Sequence, residues 1–163
     1  MNVRNNIIGI GDNKIYKANS EWREDGHSSI GEQQLCDLVG SIFYDQEVFF
    51  RKRYEWLRFV FPLELDIYLP NINLAFEYDG RQHYEYTEWF HKNIETFQET
   101  QARDRFKDEK CKKMGVTLIR VLDKEDYVNT SMLIRKLKEY ERSDLVLKYL
   151  DTYLFNGSDN CIL

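Results

Sequence analysis

The sequence predicts an α/β fold in which helices flank a mixed β-sheet, and three stretches carry that prediction. The first runs from Leu63 to Tyr84, LELDIYLPNINLAFEYDGRQHY, and reads as two short strands joined by a turn at Pro70 to Asn73. The second is a helical pattern from Thr87 to Met114, with Phe90, Ile94 and Phe97 on one stripe and Gly115 as the left-handed stop. The third is the apolar strand Thr117 to Leu122, TLIRVL. A strand following a helix that follows a hairpin implies a mixed sheet with the helix packed across it.

The remaining elements fit around this centre. Residues 1–27 show no sustained period and read as an extended lead-in to a domain spanning 28–155. Ser29 with Glu32 three residues on forms a capping box, and Leu35, Leu38, Val39 and Ile42 follow at helical spacing, which predicts a helix from Ile30 to about Ser41. Glu47 to Arg51 reads as a strand, followed by an aromatic and basic segment, Arg53 to Phe61. The helix from Thr87 is either one long element or two with a break near Thr100. Two amphipathic helices follow, near Ser131 to Tyr140 and Asp144 to Phe155, and residues 156–163 read as a flexible tail.

A chain of 163 residues with 15% aromatics, including 11 Tyr and 10 Phe, can bury one substantial core despite 31% charged residues. Cys36, Cys111 and Cys161 are odd in number and widely spaced, which fits neither a zinc site nor a disulfide framework and predicts a reducing, intracellular, cytoplasmic setting. No apolar run reaches the roughly 20 residues of a membrane span, and the start MNVRNN lacks a signal-peptide apolar segment, so no membrane partner is expected.

Alternation within the hairpin raises a chemical question. It places Leu63, Leu65, Ile67 and Leu69 on one face of the first strand, with Glu64, Asp66 and Tyr68 on the other. In the second strand Leu74, Phe76 and Tyr78 share the apolar face, opposite Ala75, Glu77 and Asp79. A turn at Pro70 to Asn73 sets Leu69 against Leu74, Asp66 against Glu77 and Glu64 against Asp79. Acids facing acids destabilise a purely structural sheet. A divalent cation such as Mg²⁺, which takes oxygen ligands, would resolve the conflict at Asp66 and Glu77.

Other residues are ambiguous by spacing alone. Gly80 allows a bend that brings Gln82 and His83 back toward the acids, and His83 titrates near neutrality, so it can serve in proton transfer or simply in packing. Glu32 is explained by helix capping. Asp104, Lys107 and Cys111 share a helix face, for which an exposed Asp–Lys pair worth a few tenths of a kcal/mol is a sufficient account. The net charge of −5 argues against nucleic acid, yet RKRYEWLR gathers Arg51, Lys52, Arg53 and Arg58 around a single Glu55.

The ordered set Gly31-Glu32, Leu65-Asp66, Phe76-Glu77-Tyr78-Asp79-Gly80, His83, Asp104, Lys107, Cys111, Gly115 and Leu118-Ile119-Arg120-Val121 resembles the PD-(D/E)XK nuclease superfamily. The nearest likeness is to its very-short-patch-repair-endonuclease branch, which includes small phage, bacterial and homing-type enzymes. The resemblance covers about Ser29 to Leu122. It implies a restriction-endonuclease-like core and Mg²⁺-dependent hydrolysis of DNA phosphodiesters, with Mn²⁺ able to substitute. By the same likeness Asp66 and Glu77 are metal ligands, joined by Glu32 and Asp79, and the catalytic set is Asp66, Glu77, Asp79, His83 and Lys107. Arg51, Lys52, Arg53, Arg58, Arg81 and Gln82 become the expected DNA contacts. The chain departs from the family at Asp79, where the simplest motif has lysine; the very-short-patch branch also lacks that lysine and uses Asp and His residues near the following Gly. Asp79, His83 and Lys107 are the candidates for its role. Two alternatives accompany this reading: an inactive DNA- or protein-binding module of the same fold, and a nuclease for RNA or branched DNA. A homodimer, and a separate DNA-reading domain or partner chain, are compatible with either.

Overall fold

The structure, a computed structural model, describes residues 29–89, 91–124 and 126–151, so the expected lead-in 1–27, the tail 156–163, Phe90 and Cys161 lie outside the described residues. The element order is α1 (Ile30–Ile42), β1 (Phe49–Arg58), β2 (Pro62–Leu69), β3 (Leu74–Asp79), α2 (Ile94–Lys113), β4 (Thr117–Leu122), α3 (Thr130–Glu139) and α4 (Ser143–Tyr149). The strands form one mixed sheet in the order β1-β2-β3-β4. β1/β2 and β2/β3 are antiparallel, whereas β3/β4 is parallel with α2 as the crossover. The expected α/β class and hairpin are therefore present.

Two apolar cores lie against the sheet. One joins α1, α3 and α4 to it through Leu35, Val39, Phe76, Ile119, Leu133 and Val146. The other packs Phe106 and Cys111 of α2 against Leu57, Leu65, Ala75 and Leu118. Beyond β4, Asp126 is 5% exposed; it accepts the Leu122 N–H and pairs with Lys136 of α3 at 2.8 Å, tying the strand end to that helix.

Strict alternation along β2 fails, for a local reason. Ile67 and Leu69 enter the first core, but Leu65 enters the second and Leu63 packs against it. The reversal falls at Asp66. Across the β1/β2 ladder, Phe50 pairs with Ile67 and Lys52 with Leu65, while Arg51 between them has φ +45°. A left-handed residue inside a strand breaks the pleat and re-aims its neighbours. β1 changes face with β2: Phe50 lies in the first core and Tyr54 packs on the second.

Other boundaries differ from expectation. β1 continues to Arg58, because Tyr54 and Trp56 form an aromatic cluster with Tyr68 of β2 (centroids 5.3 and 6.2 Å) that extends the pairing. α2 begins at Ile94 rather than Thr87, where the Asn93 side chain accepts the Thr96 N–H at 2.9 Å. It is unbroken at Thr100, whose hydroxyl donates to the Thr96 carbonyl within the helix. Ser29 caps α1 as expected, accepting the Glu32 N–H at 3.1 Å, and Gly115 follows α2 with φ +72°. Among the described residues no helix is long and apolar enough to cross a membrane.

Candidate functional site

The site begins where the β2/β3 ladder stops. Backbone pairing runs Leu69↔Leu74, Tyr68↔Ala75 and Ile67↔Phe76, one residue short of the two acids. Side chains then take over from the main chain. The Asp66 carboxylate accepts the Tyr78 N–H at 2.8 Å, and the Asp66 N–H donates to Glu77 Oε1 at 3.4 Å. Asp66 and Glu77 are thus neighbours, as the hairpin pattern anticipated, but they sit in a local parting of the strands.

Both acids are electrostatically strained. Burial, and then the charge of Asp66, push the Glu77 carboxyl up to about 8. Burial also raises Asp66, opposed by Lys107 and by the Tyr78 N–H. Glu32, at the start of α1, is pushed up to about 7 by burial and then by Asp66, with Arg51 pulling the other way. The helix and the hairpin therefore aim three carboxylates at a shared region. Burial is the largest cause in all three, with the charge of Asp66 second for Glu32 and Glu77, and carboxyls perturbed in this way are candidates for a functional site.

Lys107 supplies the nearest positive charge. Its ammonium lies 2.6 Å from Glu77 Oε2, with the side chain 13% exposed. Burial lowers its pKa, but Glu77 and Asp66 outweigh that and hold it above the ordinary lysine value. The exposed Asp104–Lys107 surface pair that spacing alone suggested does not form: Lys107 goes to Glu77, and Asp104 Oδ2 meets His83 Nδ1 at 2.9 Å. Cys111, one turn further on, is buried in the core under α2.

Asp79 belongs to a second network. Both its oxygens accept from Arg120 Nη1, at 3.0 and 2.9 Å, so they are engaged by a guanidinium rather than left open. The same guanidinium donates to Asp108 at 2.9 Å and to the Asp104 carbonyl at 3.2 Å. His83 lies 3.7 Å from Asp79 and bonds Asp104. Burial lowers the His83 pKa, but the Asp104 hydrogen bond and charge outweigh it and raise the value overall. Asp104 thus stabilises the charged form of His83 relative to a free imidazole. Sequence reasoning placed Arg120 in a strand without giving it a role, and missed Asp108. The available signal was a lone charge in TLIRVL, two residues past Leu118 and hence on the α2 face of the sheet.

The expected DNA contacts are placed unevenly. Arg51 turns toward acids, 3.0 Å from Glu64 and 3.8 Å from Glu32, so its charge is spent within the sheet edge. Lys52 lies over the Phe49 ring at 4.0 Å, and Arg58 pairs with Glu55 at 2.7 Å. Arg53 is 69% exposed and 3.8 Å from Glu64. Arg81 and Gln82 line a cleft of about 460 Å³ with Glu32, Tyr78 and Asp123. Gly31 lets the Tyr78 ring reach α1 beside this cleft, since a Cβ there would lie 2.1 Å from the tyrosine oxygen.

A metal fits part of the expected ligand set. Among the described residues no group of three or more His, Cys, Asp or Glu side chains is arranged to hold an ion. Mg²⁺, however, is commonly held by one or two carboxylates with water completing the shell. Asp66 and Glu77 match that requirement in part, since Lys107 occupies Glu77 Oε2 at 2.6 Å while Glu77 Oε1 carries the long 3.4 Å contact from the Asp66 N–H, and Glu32 is the third acid coupled to Asp66 through charge. Asp79, closed by Arg120, does not match it.

Three viral proteins are similar in sequence. "Uncharacterized protein 307L" of Invertebrate iridescent virus 6 is 35% identical over 113 residues, covering 62% of this chain and 57% of that protein. "Uncharacterized protein 033L" of Invertebrate iridescent virus 3 is 44% identical over 59 residues, 36% of this chain and 30% of that protein. "Uncharacterized protein 094L" of Frog virus 3 is 45% identical over 60 residues, 36% of this chain and 39% of that protein. The chain thus spans from about a third to little more than half the length of the curated relatives it matches. No family model matches the chain, and no solved structure matches it with significance.

Proposed function

We propose that this chain is a metal-dependent endonuclease with a restriction-endonuclease-like core of the PD-(D/E)XK type, hydrolysing DNA phosphodiester bonds. The observation that carries the reading is Lys107 Nζ at 2.6 Å from Glu77 Oε2, beside Asp66 where the strands part. Two acids and a buried lysine are the functional groups such a site needs. Here the lysine comes from α2, so Asp79 can stand in the usual lysine position without leaving the site incomplete.

Asp66 and Glu77 would hold Mg²⁺ or Mn²⁺, with Glu32 as the third acid. A bound ion of this kind lowers the pKa of a water and polarises the phosphate. Lys107 supplies fixed positive charge against the charge that builds on the phosphate oxygens during attack. His83, whose charged form Asp104 stabilises, would assist by proton transfer, most readily to the leaving oxygen. Arg81 and Gln82, on the cleft, and the exposed Arg53 are the best placed of the candidate backbone contacts.

Plasmid and linear duplex DNA incubated with the chain and Mg²⁺ or Mn²⁺ should be cut, with a loss of at least about 100-fold for Asp66→Ala or Lys107→Ala. No cutting by wild type on duplex, junction, single-stranded or RNA substrates, or undiminished cutting by Asp66→Ala, would overturn the proposal. One observation favours a second reading, an inactive binding module of this fold: no ready three-ligand cluster exists among the described residues. That module would bind DNA or a protein partner equally well with chelator and with Glu77→Ala.

A further inference from the structure

The Asp79–Arg120–Asp104 network has a geometry that a simple strand-to-helix tie does not require. Arg120 Nη1 spans both oxygens of Asp79, Nη2 reaches the backbone carbonyl of Asp104, and Nε reaches Asp108. One planar fork thus joins the end of β3 to a single turn of α2. That turn carries Asp104, whose Oδ2 lies 2.9 Å from His83 Nδ1. Asp104 is held by its main chain at 3.2 Å and flanked by the guanidinium at 3.9 Å from Oδ1, which leaves Oδ2 for the imidazole. A carboxylate fixed on Nδ1 selects the Nδ1–H form and leaves Nε2 as the nitrogen available to a ligand.

We infer that Arg120 is a positioning residue of the site, locking Asp104 so that His83 presents Nε2 toward the phosphodiester. The inference rests on the nuclease reading for its consequence, but its structural half stands independently of cleavage. Arginine is required because the role needs directed donors to three acceptors on two elements; a lysine ammonium, a flexible point charge, cannot fill all of them at once. Asp79 is then the anchor of Arg120, which explains an acid where the simplest family motif has lysine.

The test uses the full chain with ¹⁵N-labelled histidine, comparing wild type with Arg120→Gln, Arg120→Lys, Asp104→Asn and the Arg120→Gln/Asp104→Asn double variant. Long-range ¹⁵N–¹H spectra at alkaline pH read the His83 tautomer, and Mg²⁺-dependent cleavage reads kcat and KM. Wild type should show Nδ1–H, and Asp104→Asn and both Arg120 variants should lose that preference. Their kcat should fall about 10- to 100-fold with KM within about twofold, and the double variant should be no slower than the slower single one. Arg120→Lys keeps a charge against Asp79 and so remains informative where Arg120→Gln does not fold. An unchanged tautomer in the Arg120 variants, or losses that multiply in the double variant, would overturn the positioning role. A chain that shows the tautomer pattern but never cuts would overturn the nuclease reading and leave the positioning geometry standing.

Discussion

Replacing Glu32 with glutamine should stabilise the protein by an amount that grows from about pH 4.5 to about pH 7 and is constant above that. Glutamine keeps the capping geometry, since either residue serves at the third position of a capping box. What it removes is a charge that burial and Asp66 disfavour. The Glu32 pKa rises from 4.5 in the unfolded reference to about 7. Across that window the folded chain holds a proton that the unfolded chain has released, so wild-type stability falls as pH rises. Complete ionisation corresponds to a ceiling of about 3 kcal/mol. Water reaches Glu32 and screens it, and the variant also loses the Arg51 contact at 3.8 Å, which together reduce the expected gain to about 1–2 kcal/mol. Urea denaturation of both proteins at pH 4 and pH 8 measures it. The gain should be near zero at pH 4 and full at pH 8. A variant less stable than wild type at pH 8, or a gain independent of pH, would refute the electrostatic account of these acids.

Further outcomes follow from the same geometry. Millimolar Mg²⁺ should raise the wild-type melting temperature at pH 8, by the equivalent of about 1.4 kcal/mol at ten times its Kd, and Asp66→Ala should abolish the shift in calorimetry. Lys107→Met leaves Glu77 buried without its cation, raising that carboxyl further; the stability lost should therefore be larger at pH 9 than at pH 6, read by denaturant midpoints. Gly31→Ala should lower stability by about 1–3 kcal/mol because its Cβ meets the Tyr78 ring, and combining it with Tyr78→Ala should recover part of that loss. Gly115→Ala, which meets nothing within 4 Å but must hold φ +72°, should cost about 1 kcal/mol in conformational strain.

The sequence by itself determined the local chemistry of this protein. Ser29 and Glu32 start a helix, Gly115 stops another, and Pro70 to Asn73 turn a hairpin, because each depends on residues within a few positions of one another. The juxtaposition of Asp66 and Glu77 was legible for the same reason, since a short turn fixes the register on either side. Tertiary structure alone decided the partners of those acids. Lys107 reaches Glu77 across 30 positions and Arg120 reaches Asp79 across 41, contacts that exist only once α2 crosses from β3 to β4. It also decided the face reversal at Asp66, because a left-handed Arg51 on the neighbouring strand breaks an alternation that β2 considered alone would keep. Charged residues have many possible partners along a chain, and only packing brings one within 3 Å while removing the water that would otherwise compete.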